Sequence, residues 1–218
     1  MGILAALVRR ERTGQGEEVA AALTDSMTSM LAFLAANFFA TGVQPPRTGN
    51  DHGIASPYGL FEAKDGQVAI APANDGVYLK LLEVLDLMHL KDHPEFLTNA
   101  DRFERRAAIN AQVNARIGEG TVDEWIAKLN AAGVPSGRVM NLAEVFADPQ
   151  TRHQQMRVTI EHPRHGRLDV LGFPIKFSDD PCRMHRPPPD LGADTDAVLA
   201  ELCRGPEEIA RLRASGVV

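Results

Sequence analysis

Apolar positions set the first expectations. Ile3, Leu4, Leu7 and Val8 share one face at helical spacing, and Arg9, Arg10, Glu11 and Arg12 crowd the turn that follows. Basic residues offset the negative end of a helix dipole, and Gly14 is a natural left-handed stop. No Ser, Thr, Asp or Asn stands ahead of the first apolar residue to accept the orphan N–H groups. The helix is therefore expected to fray or to continue a longer one. Residues 18–23 read as a short strand although an Ala-rich run has weak strand propensity. Thr24 and Asp25 open a helix to about residue 40, with Met27, Leu31, Leu34 and Phe38 along one stripe. A lone strand needs sheet neighbours from elsewhere.

The hydrophobic period then stops. Residues 41–57 hold Gly42, Pro45, Pro46, Gly49, Gly53 and Pro57, the composition of a linker. Leu60 and Phe61, then Lys64-Asp65-Gly66, then Val68, Ala69 and Ile70 predict a hairpin. Pro72-Ala73-Asn74-Asp75-Gly76 leads into a helix with Tyr78, Leu81, Leu82 and Leu85 inside. Residues 89–99 are irregular, and a helix is expected over about 101–117. Thr121 and Glu124 form a capping box before Trp125, Ile126 and Leu129. A turn and strand follow over 133–140. Asn141 caps a short helix, and Asp148-Pro149 starts another. A second hairpin is expected over 158–171, a further strand at 175–177, a Pro-rich stretch over 178–193, a helix capped by Asp194, and a last helix with Ile209 and Leu212.

The ordered motifs resemble the family III CoA-transferases, the group of carnitine CoA-transferase, formyl-CoA transferase and 2-methylacyl-CoA racemase. They run from Gly2-Ile3-Leu4-Ala5-Ala6-Leu7, Arg10-Glu11-Arg12-Thr13-Gly14-Gln15-Gly16 and Asp25-Ser26-Met27 to Arg47-Thr48-Gly49-Asn50-Asp51-His52 and Pro57-Tyr58-Gly59-Leu60-Phe61. Asp65-Gly66, Gly133-Val134-Pro135, Asp148-Pro149-Gln150 and Gly192-Ala193-Asp194-Thr195-Asp196-Ala197-Val198-Leu199 continue the series. The resemblance covers nearly the whole chain and corresponds to the C-terminal half of such an enzyme. It implies an α/β fold, α+β in its small domain. Residues 1–40 would belong to the large CoA-binding domain, 41–57 would be a linker, 58–177 the small domain, 178–193 a return linker, and 194–218 helices returning to the large domain.

The chemistry implied is CoA transfer between an acyl-CoA and a carboxylate through an aspartyl intermediate. The resemblance places the catalytic aspartate upstream of this chain, so no catalytic residue is assigned within it. The alternative is a non-catalytic truncated homologue that folds and self-associates without transferring CoA. Asn74, Asp75 and Gly76 match the family's loop over the active site. That loop carries a glutamate in the racemase branch, and Asn74 in its place argues against racemisation. The same three residues would equally serve as an ordinary helix cap. His52 and Tyr58 fall in the linker stretch that lines the active site in the family; by their own chemistry they read as a solvated histidine and a packed tyrosine. Asp25 follows the first predicted strand but matches a helix-start aspartate. Arg9, Arg10 and Arg12 either face a CoA phosphate or form a solvated helix end.

Composition narrows the partners. The 218 residues carry a net charge of −6 with scattered Lys and Arg, which argues against nucleic acid. No apolar run reaches the roughly 18 residues of a membrane span, and no basic flank marks a signal peptide, so a cytoplasmic protein is expected. Cys182 and Cys203 have no metal-ligand spacing and are expected as reduced thiols. His162 and His165 flank a turn, but none of the histidines shows a metal-binding spacing, so no metal is assigned. No tightly bound cofactor is expected; coenzyme A enters as substrate, with an acyl-CoA and a carboxylic acid as partners. The family's interlocked dimer implies a homo-oligomer.

Overall fold

The computed structural model describes all 218 residues, which divide into two compact units, Met1–Val139 and Met140–Val218. In the first unit, α1 (Gly2–Thr13) ends as its sequence requires: Gly14 is left-handed, with φ 70°, and donates its N–H to Arg10 O. The strand expected over 18–23 does not form. Residues 18–22 have no regular structure and Leu23 already belongs to α2; the chain supplies no neighbouring strand to satisfy their backbone, and a strand exists only as part of a sheet. The single helix expected to residue 40 is two, α2 (Leu23–Ser29) and α3 (Ala32–Thr41), with Ala32 at φ 42°. Hydroxyls explain the break. Ser26, Thr28 and Ser29 each donate back to a carbonyl three or four residues earlier, and such bonds compete with helix propagation. None of these three helices buries a residue.

The core begins after the linker. β1 (Gly59–Ala63) and β2 (Gly66–Ile70) pair antiparallel around the two-residue turn Lys64-Asp65. Positive φ falls on Gly66 alone, and Asp65 Oδ1 turns away to accept the Val122 N–H at 2.8 Å. α4 (Asp75–Val84) follows, then a short 3-10 turn at Met88–Leu90. The helix expected over 101–117 is split at Arg105 into α5 (Asn99–Glu104) and α6 (Arg106–Ile117). Thr98 and Asp101 form a reciprocal capping box that starts α5 early. The Thr121–Glu124 box opens α7 (Val122–Ala131), as its sequence predicts. β3 (Ser136–Arg138) completes a three-stranded antiparallel sheet in the order β1-β2-β3.

One core joins these elements. Phe61, Val68 and Ile70 from the sheet meet Tyr78, Leu81, Leu82 and Leu85 from α4, Ile109, Val113 and Ile117 from α6, and Val122, Trp125 and Leu129 from α7. Each set follows its own period, two in the strands and three to four in the helices. Burying such side chains is worth about 1.5–3 kcal/mol each. Trp125 keeps its indole N–H satisfied by donating to Ile117 O at 2.7 Å.

The second unit holds α8 (Leu142–Ala147) and α9 (Pro149–His153), capped by Asn141 and Asp148 as expected. β4 (Arg157–His162) and β5 (Gly166–Leu171) form a separate two-stranded hairpin. Residues 175–177 form no strand, because no neighbour pairs with them. α10 (Thr195–Glu201) and α11 (Pro206–Ala214) close the chain. Asp194 precedes α10 without a side-chain cap bond and instead faces Arg186 at 3.7 Å.

Candidate functional site

The loop between β2 and α4 is built by a cap. Asn74 is extended, with φ −150° and ψ 169°, and its Oδ1 accepts the Val77 N–H at 3.0 Å while its backbone carbonyl accepts from Tyr78 at 2.9 Å. Asn74 is thus the N-cap of α4, and the capping role expected of these residues is real. Asp75 and Gly76 are the first two helical positions, and their N–H groups make no hydrogen bond within the chain. Two unbonded donors at the positive end of a ten-residue helix can receive an oxyanion or a carboxylate.

His52 and Tyr58 come together. The His52 N–H donates to Tyr58 O at 2.8 Å, and the rings stack with centroids 4.5 Å apart. Phe33 of α3 stacks on the other face of His52 at 5.1 Å. His52 Nδ1 accepts N–H groups from Ile54 at 3.3 Å and Ala55 at 3.2 Å, so the proton of the neutral ring sits on Nε2. This histidine is ordered by its own turn and can donate from Nε2.

Arg102 joins the two places, and sequence reasoning did not single it out. It is 2% exposed. Its Nε donates to Ser56 O at 2.9 Å, one terminal nitrogen donates to Phe96 O at 3.1 Å, and the other meets Asp75 Oδ1 at 2.5 Å. The guanidinium also lies 4.0 Å from the centre of the Tyr78 ring. Burial pushes the Tyr78 phenol above its ordinary range; Arg102 opposes this and Asp75 adds to it. The Tyr78 hydroxyl and Ser56 Oγ are buried without hydrogen-bond partners. Asn99 supports the same stretch, accepting from Ser56 N and donating to Ile54 O. Asp51 sits beside Arg106 and accepts from Asn110. The signal was present in the pattern: Arg102, Arg106, Ile109, Val113 and Ile117 recur at helical spacing, which puts two cations on an apolar stripe.

The remaining candidates stand apart from this cluster. Asp25 lies in the first turn of α2, where its charge suits the helix dipole. Arg9 and Arg10 pair with Glu17 and Glu11 on the surface. In the second unit His162, His165 and Asp190 converge. His162 Nδ1 accepts two backbone N–H groups, from Arg164 and His165, and Nε2 donates to Pro188 O at 3.0 Å. Asp190 is held by His165 at 3.2 Å and Arg164 at 2.9 Å. The hydrogen bond from His165 in particular keeps Asp190 below the ordinary carboxylate range. With both His162 nitrogens engaged and a guanidinium on the carboxylate, the group acts as a clasp between a turn and a Pro-rich segment.

A three-stranded antiparallel sheet packed against helices, with a short loop leading from β2 to the capped start of α4, places the chain in the mixed α/β class. The chain belongs to CoA-transferase family III, whose family model matches residues 1–195. It is 31% identical to human succinyl-CoA:glutarate CoA-transferase over 99% of this chain and 50% of that protein. It is also 31% identical to acetyl-CoA:oxalate CoA-transferase of Acetobacter aceti, over 83% of this chain and 46% of that protein. A CAIB/BAIF family protein from Brucella suis shares the fold with a TM-score of 0.68 at 37% identity, covering 92% of this chain and 52% of that one. Rv3272 from Mycobacterium tuberculosis, 19% identical, superposes with a TM-score of 0.72 and supports the fold alone. The chain spans about half the length of the curated relatives it matches.

Proposed function

We propose that this chain is the lid-bearing half of an enzyme that moves CoA between an acyl-CoA and a carboxylic acid. The observation that carries the reading is the α4 start, where Asp75 and Gly76 present two unbonded N–H groups beside an ordered linker. In the reaction, an aspartate carboxylate attacks the thioester carbonyl and expels CoA as thiolate, leaving a mixed anhydride. The thiolate then attacks the aspartyl carbonyl and releases the first carboxylate, forming an aspartyl-CoA thioester. An acceptor carboxylate attacks that thioester and frees CoA again. The thiolate finally takes the new acyl group from the anhydride, restoring the aspartate. Each tetrahedral step places negative charge on an oxygen, and donors such as the loop N–H groups stabilise it by about 3–4 kcal/mol apiece.

The nucleophilic aspartate, in this reading, comes from a segment corresponding to the half of the relatives that this chain does not match. Residues 58–177 act as the small domain between the linkers 41–57 and 178–193. The His52–Tyr58 stack lines the site, with Nε2 of His52 as a further donor. No helix is long and apolar enough to cross a membrane, and work in the cytoplasm accords with a water-soluble thioester substrate. Short dicarboxylates are the first acceptors to try, because the named relatives act on succinyl, glutarate and oxalate groups.

The test is acyl exchange. The chain is mixed with a panel of short acyl-CoAs and carboxylates, with and without the complementary half of a family member, and new acyl-CoA species are read by mass spectrometry. Exchange only in the complemented mixture is expected. No exchange in either mixture, with both polypeptides folded and associated, contradicts the proposal and favours a non-catalytic homologue.

A further inference from the structure

We infer that Arg102 and Asp75 form a latch that holds the Asn74–Gly76 loop, with Arg102 as a positioning residue and Asp75 as its releasable partner. The two ends of the pair are held very differently. Arg102 is pinned by the carbonyls of Ser56, Phe96 and Leu97 and by the Tyr78 ring, so it is fixed from the linker and from the loop before α5. The Asp75 side chain is 70% exposed, and its carboxylate has one hydrogen-bonded partner, Arg102. A pair built this way opens on the aspartate side.

Charge makes the latch matter to the site. Asp75 alone would place a negative charge next to the two unbonded N–H groups of α4 and would repel an incoming oxyanion. The guanidinium at 2.5 Å neutralises it. Arg102 is also almost fully buried, and Asp75 is the only anion in hydrogen-bond contact with it. A buried cation with one anionic partner disfavours any loop position that takes the partner away. The same pair therefore orders the loop and keeps its helix start attractive to anions. It also commits the Asp75 carboxylate, so Asp75 is not the attacking nucleophile. The relevance to catalysis rests on the proposed CoA transfer, whereas the latch itself is a property of the unliganded chain.

Hydrogen exchange reads it without any substrate. The Val77 and Tyr78 amides are bonded to Asn74 and report loop opening; the Leu81 and Leu82 amides lie deeper in α4, and the Ser56 amide, bonded to Asn99, reports the linker. After correction for intrinsic rates, Asp75→Asn is expected to speed exchange at Val77 and Tyr78 roughly five- to tenfold, leaving Ser56, Leu81 and Leu82 unchanged. Asp75→Glu is expected to restore protection. Arg102→Lys is expected to speed Val77, Tyr78 and Ser56 together. The double variant Asp75→Asn with Arg102→Lys should be no faster at Val77 than the faster single variant. Unchanged Val77 and Tyr78 in Asp75→Asn would overturn the latch. So would an equal rise at Leu81 and Leu82, because Asp75 would then support the whole fold, or strictly multiplicative effects in the double variant, because each residue would then act alone. Failure of the acyl-exchange assay leaves these outcomes intact, and the two ideas fail separately.

Discussion

At the residue scale, short-range polar chemistry decides where helices start. Thr98 with Asp101, Thr121 with Glu124, and Asn141 with Glu144 each exchange two bonds across a helix entrance. Removing the hydroxyl with Thr121→Ala is expected to cost about 1 kcal/mol, read as a lower midpoint in urea. The two threonine boxes also set a pH dependence. Hydrogen bonds from Thr98 and Thr121 hold Asp101 and Glu124 below their ordinary carboxylate values. A depressed folded pKa contributes stability above the unfolded value of about 4, and that contribution is lost as pH falls through the lower folded value. The amide shifts of Thr98 and Thr121 should accordingly titrate with midpoints below the ordinary carboxylate range. Movement centred above pH 5 would contradict the boxes. The Thr121–Glu124 box and the Asn141 cap were legible in the sequence because their partners lie three positions away, whereas the Thr98–Asp101 box falls where residues 89–99 read as irregular. Arg102 was harder to read: its acceptors Ser56 and Asp75 lie 46 and 27 residues away.

At the element scale, the hydrophobic period located the buried faces of the first hairpin, α4 and α7, while the stripes it marked in residues 3–8 and 27–38 bury no residue. Tyr78, Leu81, Leu82 and Leu85 were expected at helical spacing and all four are buried, Leu85 as the C-cap of α4. Leu81→Ala is expected to cost about 2–5 kcal/mol, because the side chain is fully buried between sheet and helices. Thermal unfolding would show it as a drop of many degrees, and a change within a degree or two would mean that the site can collapse around the smaller residue. The elements that failed share one cause. Residues 18–23, an Ala-rich run of weak strand propensity, and residues 175–177 were read as strands and have no strand to pair with, and local sequence cannot reveal a missing neighbour. The break between α2 and α3 has a different origin in the Ser and Thr cluster at 24–29, whose hydroxyls bond back to the chain. Of the candidate site, the loop and its cap were readable from Asn74-Asp75-Gly76, as was the strand-to-helix entry. The pairing of His52 with Tyr58 as a stack, and of both loops through Arg102, required the fold.

At the scale of the whole molecule, the exposed apolar surface of α1–α3 is the feature that most needs a partner. Ile3, Leu4, Leu23, Met27, Met30 and Phe39 all face solvent, and none of these helices buries a residue. Many large apolar side chains exposed over three successive helices point to an interaction site. Self-association, or capture of the complementary half, is therefore expected. Multi-angle light scattering at micromolar concentration should show species larger than 23.7 kDa, and a sharp monomer would count against it. In the proposed division of labour, capture of the complementary half would also bring a nucleophile-bearing segment to the α4 loop. That division is tested most directly by locating the covalent intermediate. The chain and a complementary family half would be mixed with an acyl-CoA, quenched, digested, and searched by mass spectrometry for a peptide carrying CoA on a carboxylate. The adduct is expected on an aspartate of the complementary half, with Asp75 and Asp25 of this chain unmodified. A CoA adduct on Asp75 or Asp25 would contradict the account, because this chain would then supply the nucleophile itself.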